Sequence, residues 1–177
     1  MVKFFKLSLI LGLAVFAYGC AAPASQQAMT ISHTDVTFKK NEILKNSVSV
    51  RNVIGGKSTN PLWTSQVDNE GFKGALEQSL AIVGYKASDS EKAKFLVDVE
   101  LRKIEQPLIG IDFEVPSEII YTVTHDGEKK QSFPVSAIGK AKFSDNWVGY
   151  ERLKAANEKS IKENIIQFIN QISKSIK

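Results

Sequence analysis

The sequence predicts a two-layer α+β domain: an antiparallel sheet of about four strands with two helices on one face, preceded by a cleaved signal peptide and a flexible tether. Three observations predict it. Residues 95–102 alternate Phe95, Val97, Val99 and Leu101 with Asp98, Glu100 and Arg102, the pattern of a strand with one covered and one wet face. Asp126-Gly127 stands between two β-prone runs, a strong hairpin signal. Apolar residues recur at helical spacing in two stretches, around Phe72 and around Ile165.

The chain opens with Lys3 and Lys6 and then an uncharged apolar run over residues 7–16. A positive segment followed by a short apolar one is the pattern of a secretory signal, and the run is shorter than the roughly 20 residues that a membrane-spanning helix needs. Small residues then lead to Cys20, the single cysteine of the chain. Residues 20–30 are small and polar, include Pro23, and read as a tether, so that residues 31–177 form one domain.

Of 177 residues, 158 remain beyond the leader, enough for a core without disulfide or metal staples. The formal charge of +4 includes Lys3 and Lys6, so the body carries +2. Its lysines are dispersed, with Lys39-Lys40 and Lys129-Lys130 as adjacent pairs, which is the composition of a solvated surface and not of a nucleic-acid footprint.

Residues 31–38 and 47–54 are candidate strands; in the second, Val48, Val50 and Ile54 fall on one face. Gly55-Gly56 stops it. A polar loop over residues 57–67 follows, with Asn60-Pro61 as its turn and Leu62-Trp63 as its apolar residues. Asn60 and Trp63 are the candidate recognition residues; the alternative is that Trp63 anchors the loop on the core.

Asp68 or Asn69 caps a helix carrying Phe72, Leu76, Leu80 and Val83, and Gly84 with Tyr85 ends it. Gly71 and Gly74 inside it call for close packing against the sheet. After the strand at 95–102, residues 108–113 form an apolar connection. Residues 119–124 and 130–143 make the hairpin, with Phe133, Val135, Ala137, Ala141 and Phe143 on one face and Pro134 marking an edge. The small residues Ala137, Gly139 and Ala141 admit a helix closely. Ser144 or Asp145 then caps a helix running to about Lys174, whose stripe is Leu153, Ile161, Ile165, Phe168, Ile172 and Ile176. Asn157 interrupts that stripe and is expected at the rim.

No nucleophile elbow, phosphate loop, dinucleotide fingerprint or paired-histidine zinc motif occurs. His33 lies near the tether and His125 beside the hairpin turn, positions expected on the surface. Asp98 and Glu100 alternate with Arg102 as a solvated ladder, and Asp112 and Glu114 flank Phe113 without further oxygens to complete a cation site. The reading is therefore a non-enzyme, with no catalytic residue, cofactor or metal.

Ala17-Tyr18-Gly19-Cys20 resembles the lipobox of bacterial lipoproteins, although Leu is usual at the position of Ala17 and a small residue at that of Tyr18. The resemblance implies cleavage after Gly19 and acyl chains on Cys20. With Ala21 rather than Asp next, it also implies sorting to the outer membrane, facing the periplasm. A plain secretory signal cut near Ala22 or Ala24 is the alternative. The compact domain is similar in architecture to small LptE-like and YajG-like envelope lipoproteins, which implies an accessory or assembly role with a protein or lipid partner. A carboxylate-dependent envelope hydrolase using Asp112 and Glu114, and a surface-displayed adhesin or antigen, are the competing expectations.

Overall fold

The computed structural model describes residues 22–59, 66–107, 109–125 and 127–177. In chain order these form helix α1 (Gln26–Met29), strand β1 (Val48–Ile54), helix α2 (Asn69–Val83), strands β2 (Phe95–Ile104), β3 (Phe113–His125) and β4 (Lys129–Ala141), and helix α3 (Gly149–Ser175). The α+β class expected from the sequence is what the chain adopts. The strands lie in the order β1-β2-β3-β4.

The sheet is mixed where an antiparallel one was expected. β2, β3 and β4 are antiparallel neighbours, but β1 runs parallel to β2. The cause is the connection: α2 lies between β1 and β2, and a helical crossover returns the chain to the end from which β1 started. Both long helices cover the same face. Phe72 of α2 lies 6.4 Å from the Tyr121 ring of β3, and Phe168 of α3 stacks on that ring at 3.9 Å.

Strand alternation sets the core. Phe95, Val97, Val99 and Leu101 of β2 are buried with Val115, Ile119, Tyr121 and Val123 of β3 and Phe133 and Val135 of β4. The helices complete it with the expected Phe72, Leu76, Leu80, Val83, Leu153, Ile161, Ile165, Phe168 and Ile172. On β1 a register shift between Val50 and Asn52 inserts one residue, so Val53 turns inward and Ile54 is left exposed, the reverse of strict alternation.

The N-terminal stretch departs most from expectation. From Ala22 to Thr30 the chain is not a free tether: Ala24, Met29 and Thr30 are buried, and α1 is capped by the Ser25 hydroxyl, which accepts from Ala28 N. Gly74 lies beneath this stretch, with the end of the Gln26 side chain 2.4 Å from where a Cβ would stand. The close neighbour of this helix glycine is thus α1 and not the sheet. Residues 31–38, expected as a strand, instead form a 3-10 turn at His33–Asp35. Asp35 Oδ2 accepts from both Ser32 N and Ser32 Oγ, and such local bonds compete with a sheet ladder. Partial burial works to raise the Asp35 pKa, but bonds from Lys162 and Ser32 outweigh it and hold it at about 2.

Helix α2 has the termini its sequence implies. Asp68 Oδ1 accepts from Gly71 N at 2.7 Å, and Gly84 takes a left-handed φ of 83° while Tyr85 N donates to Leu80 O. Helix α3 begins later than expected, with Val148 at its N-cap. Asp145 is not its cap because its carboxylate closes the preceding turn, accepting from Lys142 N and pairing with Lys159. The strand before it ends at Ala141, which leaves Phe143 outside the sheet and 53% exposed.

Candidate functional site

Cys20, Asn60 and Trp63, the expected attachment and recognition residues, lie outside the described residues, as do the leader and Asp126 of the hairpin turn. The ends of the recognition loop are described. Gln66 N donates to Thr59 Oγ1, and Lys57 N donates to Val67 O.

Asp112 and Glu114 do not converge. Asp112 Oδ1 accepts from Phe143 N at 2.8 Å, and Glu114 pairs with Lys140 at 2.6 Å on the open face of the sheet. Each carboxylate is occupied by the structure around it. Arg51 pairs with Asp98 and Arg102 with Glu100, giving the wet ladder that alternation implies. No group of three or more His, Cys, Asp or Glu able to hold a metal occurs among the described residues.

His33 is exposed in its 3-10 turn, but His125 is half-buried and stacks on Phe95 with ring centroids 4.4 Å apart. Beside it, at the hairpin end of the sheet, lies an open cavity of about 480 Å³ lined in part by Lys129, Lys130, Gln131 and Lys177. Ammonium groups around a hollow favour an anion.

Asn157 is fully buried rather than at the rim, and Gln106 Nε2 donates to its Oδ1 at 3.2 Å. It sits where the chain enters the domain. Ala24 N donates to Gln66 O, Gln106 Nε2 also donates to Gln66 Oε1, and Ser25 N donates to Glu158 Oε1 at 2.7 Å. Burial raises the Glu158 pKa, and the Ser25 amide and Lys154 oppose it.

A polar seam lies deeper between α3 and the sheet. Tyr121 Oη donates to Asn164 Oδ1 at 2.8 Å, Asn164 Nδ2 donates to Ser117 Oγ and Val135 O, and Ser160 Oγ donates to Ser117 Oγ. All four side chains are buried, and burial pushes the Tyr121 hydroxyl pKa well above its ordinary value. Asn164 is three residues from Ile161 and four from Phe168, a spacing that places it on the apolar stripe and was the available sequence signal. Asn164→Ala should cost about 2–3 kcal/mol because it strands the buried Tyr121 hydroxyl and also removes the bonds to Ser117 and Val135, whereas Tyr121→Phe, which strands only Asn164 Oδ1, should cost about 1–2 kcal/mol. Urea unfolding of both single variants and the double variant checks this, and strict additivity would deny the coupling.

Charge and aromatic contacts organise the opposite end of the sheet from the hairpin. Arg152 is buried, with its guanidinium 5.4 Å from the Phe113 ring and 5.0 Å from the Phe143 ring, and Nη1 donates to Asn146 O at 2.8 Å. At the same end Ile109, Ile111, Phe143 and Trp147 face solvent. Ile109 and Ile111 belong to the stretch expected from the sequence as a plain apolar connection. No helix among the described residues is long and apolar enough to cross a membrane.

No family model and no curated protein matches the chain. Among solved structures, similarity is found to protein XCC0632 of Xanthomonas campestris, described as DUF330, at TM-score 0.49 and 10% identity over 85% of this chain and 92% of that one. A candidate lipoprotein of Caulobacter crescentus gives TM-score 0.41 and 11% identity over 72% of this chain and 85% of the other. The hypothetical protein CT253 of Chlamydia trachomatis gives 0.45 and 10% over 72% and 93%. Likenesses at this level carry no argument about function, which rests on the chain's own residues.

Proposed function

We propose that the chain is a lipid-anchored accessory or binding module of the bacterial cell envelope, held by acyl chains on Cys20 at the outer membrane and facing the periplasm. The observation that carries this reading is the junction itself: a basic then apolar leader that ends in Gly19-Cys20 and gives way to one polar-surfaced domain. Each buried methylene adds roughly 0.8 kcal/mol and stable anchoring takes two membrane signals, so two or more chains on one residue hold a domain durably.

The module works by binding and not by catalysis. Supporting this, the carboxylates at Asp112 and Glu114 serve the Phe143 amide and Lys140. Its partner is an envelope protein or lipid and not a nucleic acid, in keeping with the dispersed lysines. Cells expressing the chain and fed radiolabelled palmitate should label it, and Cys20→Ser should abolish the label. Persistent labelling of the serine variant would sink the anchor.

A further inference from the structure

We propose that the domain rests end-on against a lipid bilayer through an apolar rim of Ile109, Ile111, Phe143 and Trp147. The inference rests on the reading of Cys20 as an acylated anchor and adds to it an orientation and a contact surface. Ile109 and Ile111 belong to the connection between β2 and β3, Phe143 and Trp147 to that between β4 and α3. They are 91%, 74%, 53% and 80% exposed.

Both connections meet at one end of the sheet, where Phe113 pairs with Ala141. They are held rather than trailing. Asp112 ties the first to the Phe143 amide, and Arg152 lies against the Phe113 and Phe143 rings while donating to Asn146 O beside Trp147. Large apolar side chains gathered on one exposed end mark a contact surface. Indole, with an apolar body and a polar N–H, suits the boundary between headgroups and acyl chains.

The path of the chain says that the surface is lipid. Ser25 bonds to Glu158, Asp35 to Lys162, and Asn41 to the carbonyls of Ser173 and Ile176, so the N-terminal stretch runs along α3 toward its last turn. Its earliest described bonds, Ser25 to Glu158 and Ala24 N to Gln66 O, lie toward the end of the sheet that carries the rim, since Gln66 bonds to Gln106 just past the end of β2. Cys20 stands four positions before Ala24, a reach of at most about 14 Å. Glu158 lies about 14 Å into α3, and the hairpin end of that helix is about 25 Å beyond it. Because Ala24 is itself packed on the domain, acyl chains on Cys20 bring the bilayer to the rim and turn the hairpin end away.

The test uses the full lipidated chain purified from membranes and reconstituted into phosphatidylethanolamine–phosphatidylglycerol vesicles, alongside Trp147→Phe and an Ile109→Asp, Ile111→Asp double variant. Flotation with the vesicles reports the anchor. Tryptophan emission with lipids brominated near the top of the acyl chain reports the rim through the component that Trp147→Phe removes, because Trp63 emits in all three proteins. The expected result is flotation of all three proteins, with a blue shift and loss of emission in the native chain that Trp147→Phe lacks and the double variant largely loses. Flotation with a Trp147 that is unquenched by bromolipid and still open to iodide overturns the rim, leaves the anchor standing and assigns these side chains to a protein partner. Failure of both flotation and quenching overturns both.

Discussion

Phe168→Ala is expected to lower stability by about 3–5 kcal/mol, the range for removing a fully buried aromatic ring. The ring is fully buried, stacks on Tyr121 at 3.9 Å with 6° between planes, and meets Phe133 edge-on at 6.1 Å. Its loss opens a cavity between α3 and strands β3 and β4, and it also removes the wall that holds Tyr121 against Asn164. In a domain of this size the thermal midpoint should fall by roughly 10 °C, and Phe168→Leu, which keeps most of the volume, should recover most of it. Calorimetry of the three proteins decides. A shift in Phe168→Ala no larger than that of an exposed substitution would mean that α3 does not pack on the sheet as described.

Gly139→Ala comes next, at about 3 kcal/mol, although it adds a single methyl group. A Cβ at Gly139 would stand 2.0 Å from Ala156 O and 2.3 Å from Ser160 N. Both are backbone atoms of α3, so no rotamer change relieves the clash and the helix itself must lift from β4. Ser160 would be displaced with it, which weakens the seam to Ser117. A contrasting variant is Gly84→Ala, where nothing lies within 4 Å and the cost is that of a left-handed φ alone, about 1–2 kcal/mol. Urea midpoints should therefore rank Gly139→Ala below Gly84→Ala and both below the native chain. The opposite ranking would place the close approach of α3 elsewhere.

Several features were legible because they depend on neighbours in the chain. The β2 alternation, the Asp68 and Gly84 helix ends, the Phe72 to Val83 stripe and the small residues facing α3 follow from periods of two and 3.6 and from local caps. What was missed involves partners distant in sequence. The direction of β1 depends on the path of α2 over the sheet, and the inward turn of Val53 depends on one inserted residue whose effect appears only in pairing with β2. Asn157 and Asn164 look like interruptions of an apolar stripe until Gln106, Tyr121 and Ser117 are brought to them from the sheet.

The candidate site divides along the same line. By itself the sequence determined the α+β class and the dispersed charge and raised the expectation of a signal segment ending at Cys20, since amphipathic periods and signal patterns are both written in consecutive residues. Only the tertiary structure decided that the stretch after Ala22 is docked along α3, and that Ile109, Ile111, Phe143 and Trp147 share one end of the molecule. Those four residues come from two connections almost a whole hairpin apart in the chain. Their meeting follows from the pairing of β3 with β4, which returns Ala141 to the side of Phe113.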